Sequence, residues 1–242
     1  MNLHTSRLGL GSVRPERLAE GFYPSCIESA RRQPTLSFLP TGYEPEYAYP
    51  LIVWFHGEGG SEHQLQQVLP QVSRRNYLGL ALRGLAPVLK GDGSQGWSWQ
   101  VEGADELAAE DNLFAALEDL EQHHAINSER IFLAGVGTGA SFAYRLAFLY
   151  PERFAGVAAF NGQINCRGPL LRLMSVRRLK VFIGHGIANP VAPLSLAQRD
   201  HRLLYTAGLD VEFKTYATTQ RLHPTMFQDL DRWAMGIVTE SR

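Results

Sequence analysis

The sequence is poor in cysteine: Cys26 and Cys166 are the only two among 242 residues. Two thiols are too few for a disulfide framework, and they lack the paired spacing of a zinc site. No stretch approaches the roughly 20 apolar residues that a membrane-spanning helix needs, so no membrane span is expected. The opening residues, MNLHTSRLGLGSVRPERLAEG, contain no apolar core of a secretion signal, which makes the cytoplasm the expected compartment. An excess of one charge is missing too. Lys and Arg number 23 against 24 Asp and Glu, a formal net charge of -1, with no long block of either sign. Such a balance gives no electrostatic footprint for nucleic acid or for an anionic membrane.

What is present is an ordinary globular composition, 45% hydrophobic and 19% charged. Residues 1–34 mix Arg, Pro, Gly and Glu without periodicity and read as an N-terminal extension to one domain over 35–242. From there the pattern becomes regular. TLSFLP (35–40) reads as a strand, 40–50 as a turn, and the continuous apolar run LIVWFH (51–56) as a strand buried on both faces. A short helix interrupted near Pro70 is expected over 62–75, a strand over 77–84, and a long Gly-rich loop over 85–103. Apolar spacing through Leu107, Leu113, Phe114, Leu117 and Leu120 predicts a helix over 104–124. Strands follow at 130–136, 156–162, 180–186 and 211–217, with helices at 138–150, 194–207 and 224–238. The alternation of strand and helix predicts an α/β fold with a mostly parallel central sheet and helices on both faces.

In a parallel sheet, ligands gather at the carboxyl ends of the strands. Three such ends carry notable residues. The first is His56-Gly57-Glu58-Gly59-Gly60, whose glycines let backbone N–H groups approach a ligand, although a plain tight turn explains them equally well. The second is Gly135-Val136-Gly137-Thr138-Gly139, a strand-to-helix turn. The third pairs GHGIANPVAP (184–193) with TTQRLHP (218–224) after the last strand.

On LIVWFHGEGG, the GWSW loop, INSERIFLAGVGTGASFAYRLAFLYPERFAGVAAFNG and VFIGHGIANPVAP, the chain from about residue 35 onward resembles the α/β-hydrolase family. The likeness is to its phospholipase/carboxylesterase, dienelactone-hydrolase-like branch. The resemblance implies Gly137 at the nucleophile position, Asn189 at the acid position and His223 at the base position. It also implies the amides of Glu58 and Thr138 as an oxyanion hole. Two of the three catalytic side chains depart from the family pattern. Glycine has no group to attack a carbonyl, and an amide cannot stabilise an imidazolium as a carboxylate does. Glycine also takes the positive φ of such an elbow without the strain that a side chain brings, so the two losses are coherent.

The leading expectation is therefore a catalytically impaired relative of carboxylesterases and phospholipases that keeps a cleft. Its candidate partners are a small ester or acyl ligand, a protein, or a second copy of the chain. The alternative is an active carboxylic ester hydrolase with a non-standard nucleophile or a water activated by His223. Neither cofactor nor metal is expected. Gly135, Gly137 and Ala140 do fit a dinucleotide fingerprint, but the strand that follows ends at Phe160-Asn161 without the required acid. His56, Glu58 and His63 have no metal-site spacing. Ser141, Thr138, Ser61 and Cys26 are weak substitutes for the serine. Ser61 reads as a helix cap, His123 and His124 as a helix end, and His185 as part of a structural His-Gly pair. Trp97 and Trp99 either line the cleft mouth or pack on the sheet. Glu102, Asp105, Glu106, Glu110 and Asp111 read as a solvated helix face.

Overall fold

The computed structural model describes residues 19–27, 33–165 and 176–240. Most of the extension expected over 1–34 therefore lies outside the described residues, as does Cys166. The strands are β1 (Gly21–Ile27), β2 (Gln33–Leu39), β3 (Tyr49–Phe55), β4 (Leu78–Leu82), β5 (Ala86–Leu89), β6 (Gln95–Ser98), β7 (Ile126–Val136), β8 (Gly156–Phe160), β9 (Lys180–Gly186) and β10 (Asp210–Tyr216). The helices are α1 (Leu65–Val72), α2 (Ala104–Glu121), α3 (Thr138–Leu149), α4 (Leu194–Thr206) and α5 (Pro224–Glu240).

Eight strands form one sheet in the order β1-β2-β4-β3-β7-β8-β9-β10. From β4 to β10 all neighbours are parallel, whereas β1–β2 and β2–β4 are antiparallel. Each central strand splits its side chains between two cores. Leu51, Val53 and Phe55 of β3 join Leu113 and Leu117 of α2, Ala143 and Leu146 of α3, and Ala197 and Leu204 of α4. Ile52 and Trp54 point the other way, to Leu65 and Leu69 of α1 and Phe227, Leu230 and Trp233 of α5. Period-two alternation with both faces apolar is what a doubly covered sheet demands. The chain's direction of travel across the sheet reverses at β3, with β4 on one side and β7 on the other. Ligands gather at such switch points, and the two Gly-rich turns follow β3 and β7, the strands on either side of this one.

Several local readings change. The 85–103 loop contains the hairpin β5–β6, closed by Asp92-Gly93 with Gly93 at φ 79°, a turn pair that favours hairpins. A single 3-10 turn at Glu62–Gln64, capped by Ser61, leads into α1, and α1 runs through Pro70 without interruption. Proline deprives the Gln66 carbonyl of its helical donor, yet Gln66 is exposed and water can replace it. Leu107, expected on the buried stripe of α2, is 60% exposed. Glu110, expected in solvent, is buried and accepts from Arg145 and Tyr150. Gly21–Ile27, where no strand was expected, pairs along its whole length with β2. Among the described residues no helix is long and apolar enough to cross a membrane.

Candidate functional site

The turn between β7 and α3 is a sharp elbow. Gly137 sits at φ 57°, ψ -120°, and its amide donates to the Phe160 carbonyl at 2.9 Å. The glycines at its flanks are there for steric reasons. A Cβ on Gly135 would lie 2.8 Å from the Phe55 carbonyl oxygen, and one on Gly139 would lie 2.3 Å from that of His56. Gly137 differs: a Cβ there would meet nothing within 4 Å. The elbow tip is open. Ser141, a turn further on, is committed elsewhere, since its hydroxyl accepts from the Gln163 amide and donates to the Gly137 carbonyl.

Asn189 lies in the loop after β9 and is only 6% exposed. Its Oδ1 accepts from the amides of Val191 (2.9 Å) and Ala192 (3.0 Å), and its Nδ2 donates to Asn161 Oδ1 at 3.2 Å. Asn161, just after β8, holds φ at 54°, a region that asparagine tolerates better than most residues. Its Oδ1 also accepts from the Gly186 amide at 2.9 Å, while its Nδ2 donates to the Gln220 carbonyl. One amide thus ties together the loops after β8, β9 and β10. A carboxylate at 189 would set an acceptor against Asn161 Oδ1, so the pair suits an amide at that position.

His223 precedes α5 and is exposed. Its Nδ1 accepts the Thr225 amide at 3.3 Å and lies 2.8 Å from Thr225 Oγ1. This is helix capping by a side chain, one turn-opening amide being satisfied just after Pro224 starts the helix. Because a backbone N–H can only donate, the neutral ring carries its proton on Nε2. A triad base needs the reverse tautomer, with Nδ1–H held by an acid and Nε2 free to accept. Among the described residues no hydrogen bond joins Asn189 to His223.

The Gly-rich loop after β3 is held from below. Buried His56 accepts the Gly84 amide on Nε2 (2.9 Å) and faces the Gly57 carbonyl through Nδ1 (2.8 Å). Burial lowers its pKa from the ordinary 6.5, which keeps it neutral and structural. Gln64 Oε1 accepts both the Trp54 indole N–H (2.9 Å) and the Gly57 amide (3.2 Å). The β5–β6 hairpin docks on the loop through Gly59 N to Trp97 O (2.9 Å) and Trp97 N to Gly60 O (3.0 Å). Glu58 accepts from Ser98 Oγ at 2.5 Å, and Thr138 Oγ1 is buried with no hydrogen-bond partner among the described residues.

The two tryptophans separate. Trp99 is core, stacked on Phe142 with its indole N–H on the His56 carbonyl, whereas half-exposed Trp97 lines a cleft of ≈ 490 Å³. Gly137, Thr138, Asn189 and His223 do not line that cleft. His185 is buried and bonds the Ala192 carbonyl. His123 holds the Asp119 carbonyl at a helix end, and Cys26 lies in β1 as a free thiol. Among the described residues no cluster of His, Cys, Asp and Glu could hold a metal. Sequence reasoning missed Asn161, Gln64 and Thr225. Only Asn161 had a signal, an Asn-Gly pair directly after an apolar strand.

The model of the Phospholipase/Carboxylesterase family matches residues 44–234. Acyl-protein thioesterase 1 of Mycosarcoma maydis is 35% identical over 99 residues, which cover 38% of this chain and 41% of that protein. Carboxylesterase SOBER1 of Arabidopsis thaliana is 23% identical over 188 residues, 70% of this chain and 82% of that protein. The chain spans less than half the length of two of the curated relatives it matches, 44% and 41%. Among solved structures, the Mesorhizobium loti carboxylesterase superposes with a TM-score of 0.68 at 20% identity, covering 84% of this chain and 95% of that one. The Bacillus cereus carboxylesterase does so at 0.65 and 19%, covering 85% and 94%. At such identities these superpositions establish the α/β-hydrolase fold.

Proposed function

Starting from a chain that belongs to the phospholipase/carboxylesterase family of α/β-hydrolases, we propose that it is a catalytically impaired member that retains an ester- or acyl-binding crevice. Gly137 carries this reading: the elbow keeps its shape, the tip is open, and no side chain stands where an attacking hydroxyl is required. Two further features support it. Asn189 spends its amide on Asn161 and on its own loop, and His223 spends Nδ1 on capping α5. With nucleophile, acid and base tautomer all altered, only backbone donors and binding remain to accelerate hydrolysis. Loss of a triad leaves turnover about 10⁶-fold below that of a working serine hydrolase. The ligand class follows from the names of the relatives, carboxylesterase and acyl-protein thioesterase, and is part of the proposal.

The test uses p-nitrophenyl acetate and butyrate together with a fluorophosphonate probe. The protein is expected to stay unlabelled and to show no turnover that depends on His223. Saturable hydrolysis abolished in His223→Ala would overturn the reading. Gly137→Ser, placed at an open elbow, is expected to gain slow labelling, roughly 10⁴-fold below a complete triad because the acid is missing. A folded Gly137→Ser that never labels would remove Gly137 from the nucleophile position.

A further inference from the structure

The cleft of ≈ 490 Å³ lies between the 3-10 turn, the end of β4 and the β5–β6 hairpin. Its size suits a small-molecule ligand, and its wall is polar: Ser61, His63, Gln64, Gln67, Arg83, Lys90 and Gln95 beside Trp97. The distribution of donors is what sets it apart. Arg83 grips the carboxylate of Glu62 with Nε (2.7 Å) and Nη2, and its guanidinium lies 5.3 Å over the Trp97 ring. That fixes the guanidinium, while Nη1 has no bond among the described residues. Gln64 is fixed as well, because two donors hold its Oε1 and so orient its NH₂ group, which has no partner among the described residues. The stem of Lys90 lies alongside Gly59, its Cγ 3.6 Å from where a Cβ would stand, and its ammonium makes no ion pair among the described residues.

Arg83 occupies both oxygens of Glu62, and His63 Nε2 lies 3.4 Å from one of them. The carboxylate that acts on Lys90 is Asp92, two residues on in the hairpin turn, which is exposed and accepts from Ser94 through Oδ1, so the ammonium has no close ion pair among the described residues. A buried ion pair adds little net stability, because desolvation offsets the attraction, so holding Arg83 rigid at a cleft wall is better explained by recognition. Fixed guanidinium, fixed amide and anchored ammonium all present hydrogens, and a donor-rich wall that includes two cationic groups calls for an acceptor-rich anion. Gln67, Gln95 and Ser61 offer both donors and acceptors for hydroxyl groups. From this juxtaposition of Arg83, Lys90 and Gln64 in one polar cleft we infer that the protein has a second ligand site, apart from the elbow, for a hydroxylated oxyanion such as a sugar phosphate or sugar acid. The site stands whether or not the elbow is catalytically silent.

Isothermal titration of the full chain with glucose 6-phosphate, gluconate, inorganic phosphate and glucose tests it. Glucose 6-phosphate or gluconate is expected to bind saturably and more tightly than inorganic phosphate, with glucose silent. Lys90→Gln, at an exposed position that leaves the core intact, is expected to weaken binding about tenfold, the worth of one charge-assisted hydrogen bond. Arg232→Gln, on α5, is expected to change nothing. Absence of saturable binding by both hydroxylated anions overturns the site, as does binding indifferent to Lys90→Gln. Equal weakening by Arg232→Gln would reduce it to diffuse charge attraction, and inorganic phosphate matching glucose 6-phosphate would remove recognition of the hydroxylated body.

Discussion

Three glycines two residues apart do different jobs at the elbow, and mutation separates them. At Gly139 an added Cβ would run into two backbone carbonyls, at 2.3 and 2.4 Å, and backbone cannot give way as a side chain can. At Gly137 there is open space, so alanine faces only the positive φ of 57°, a strain of about 1–3 kcal/mol. Urea denaturation is expected to place Gly137→Ala within that range and Gly139→Ala beyond it, with Gly139→Ala losing the cooperative transition altogether if the loop after β3 is displaced. Equal costs at the two positions would contradict the geometry. This difference also explains how much of the site is legible in the sequence. Steric demands at a tight corner are local, so the spacing of the glycines is enough to announce the elbow. The Asn161 bonds to Gly186 and Asn189 join residues 25 and 28 positions apart, and the role of His223 as a helix cap rests on the conformation of Thr225. Tertiary contacts of this kind leave no periodic trace, so the acid and base positions could be assigned only by resemblance.

At the scale of elements, the loop after β3 depends on a histidine that must stay neutral. His56 accepts one amide and faces one carbonyl from a fully buried position, and burial lowers its pKa below 6.5. In the unfolded chain the same ring takes up a proton near 6.5. The unfolded state therefore binds more protons as pH drops, and the stability linked to His56 is complete above pH 6.5 and lost as pH falls through its folded value. For this single proton the slope reaches about 1.4 kcal/mol per pH unit. The imidazole resonances of His56 followed by NMR are expected to remain those of the neutral ring as pH falls through 6.5. Protonation of His56 at or above that pH would refute the argument. Elements with strong periodicity, such as α2 and the buried strands, were legible from sequence to within a few residues. The β5–β6 hairpin was not, because its strands are four residues each and take their order from docking on Gly59 and Gly60. The expected break at Pro70 failed for a related reason: its cost depends on whether the orphaned carbonyl faces water, which sequence alone does not tell.

For the molecule as a whole, the two cores cannot be separated, because the same backbone supplies both. In β3, β7, β8 and β9 successive residues alternate between them: Leu133 faces one and Ala134 the other, as do Val157 and Ala158, and Val181 and Phe182. Melting the α2/α3/α4 side would release the strands that also anchor α1 and α5, so neither layer has an independent route to unfolding. Tryptophan provides a reporter on each side, with Trp99 in the first core and Trp54 and Trp233 in the second. Fluorine NMR of the 5-fluorotryptophan-labelled protein in urea is expected to give coincident midpoints for Trp99 and Trp233, as two-state unfolding requires. Trp97 sits in the hairpin outside both cores and is held to the loop by backbone bonds at Gly59 and Gly60. Its resonance is expected to change at lower urea, since segments with few buried contacts open first. If Trp99 and Trp233 parted while Trp97 followed either of them, the sheet would not be the common element that joins the two layers.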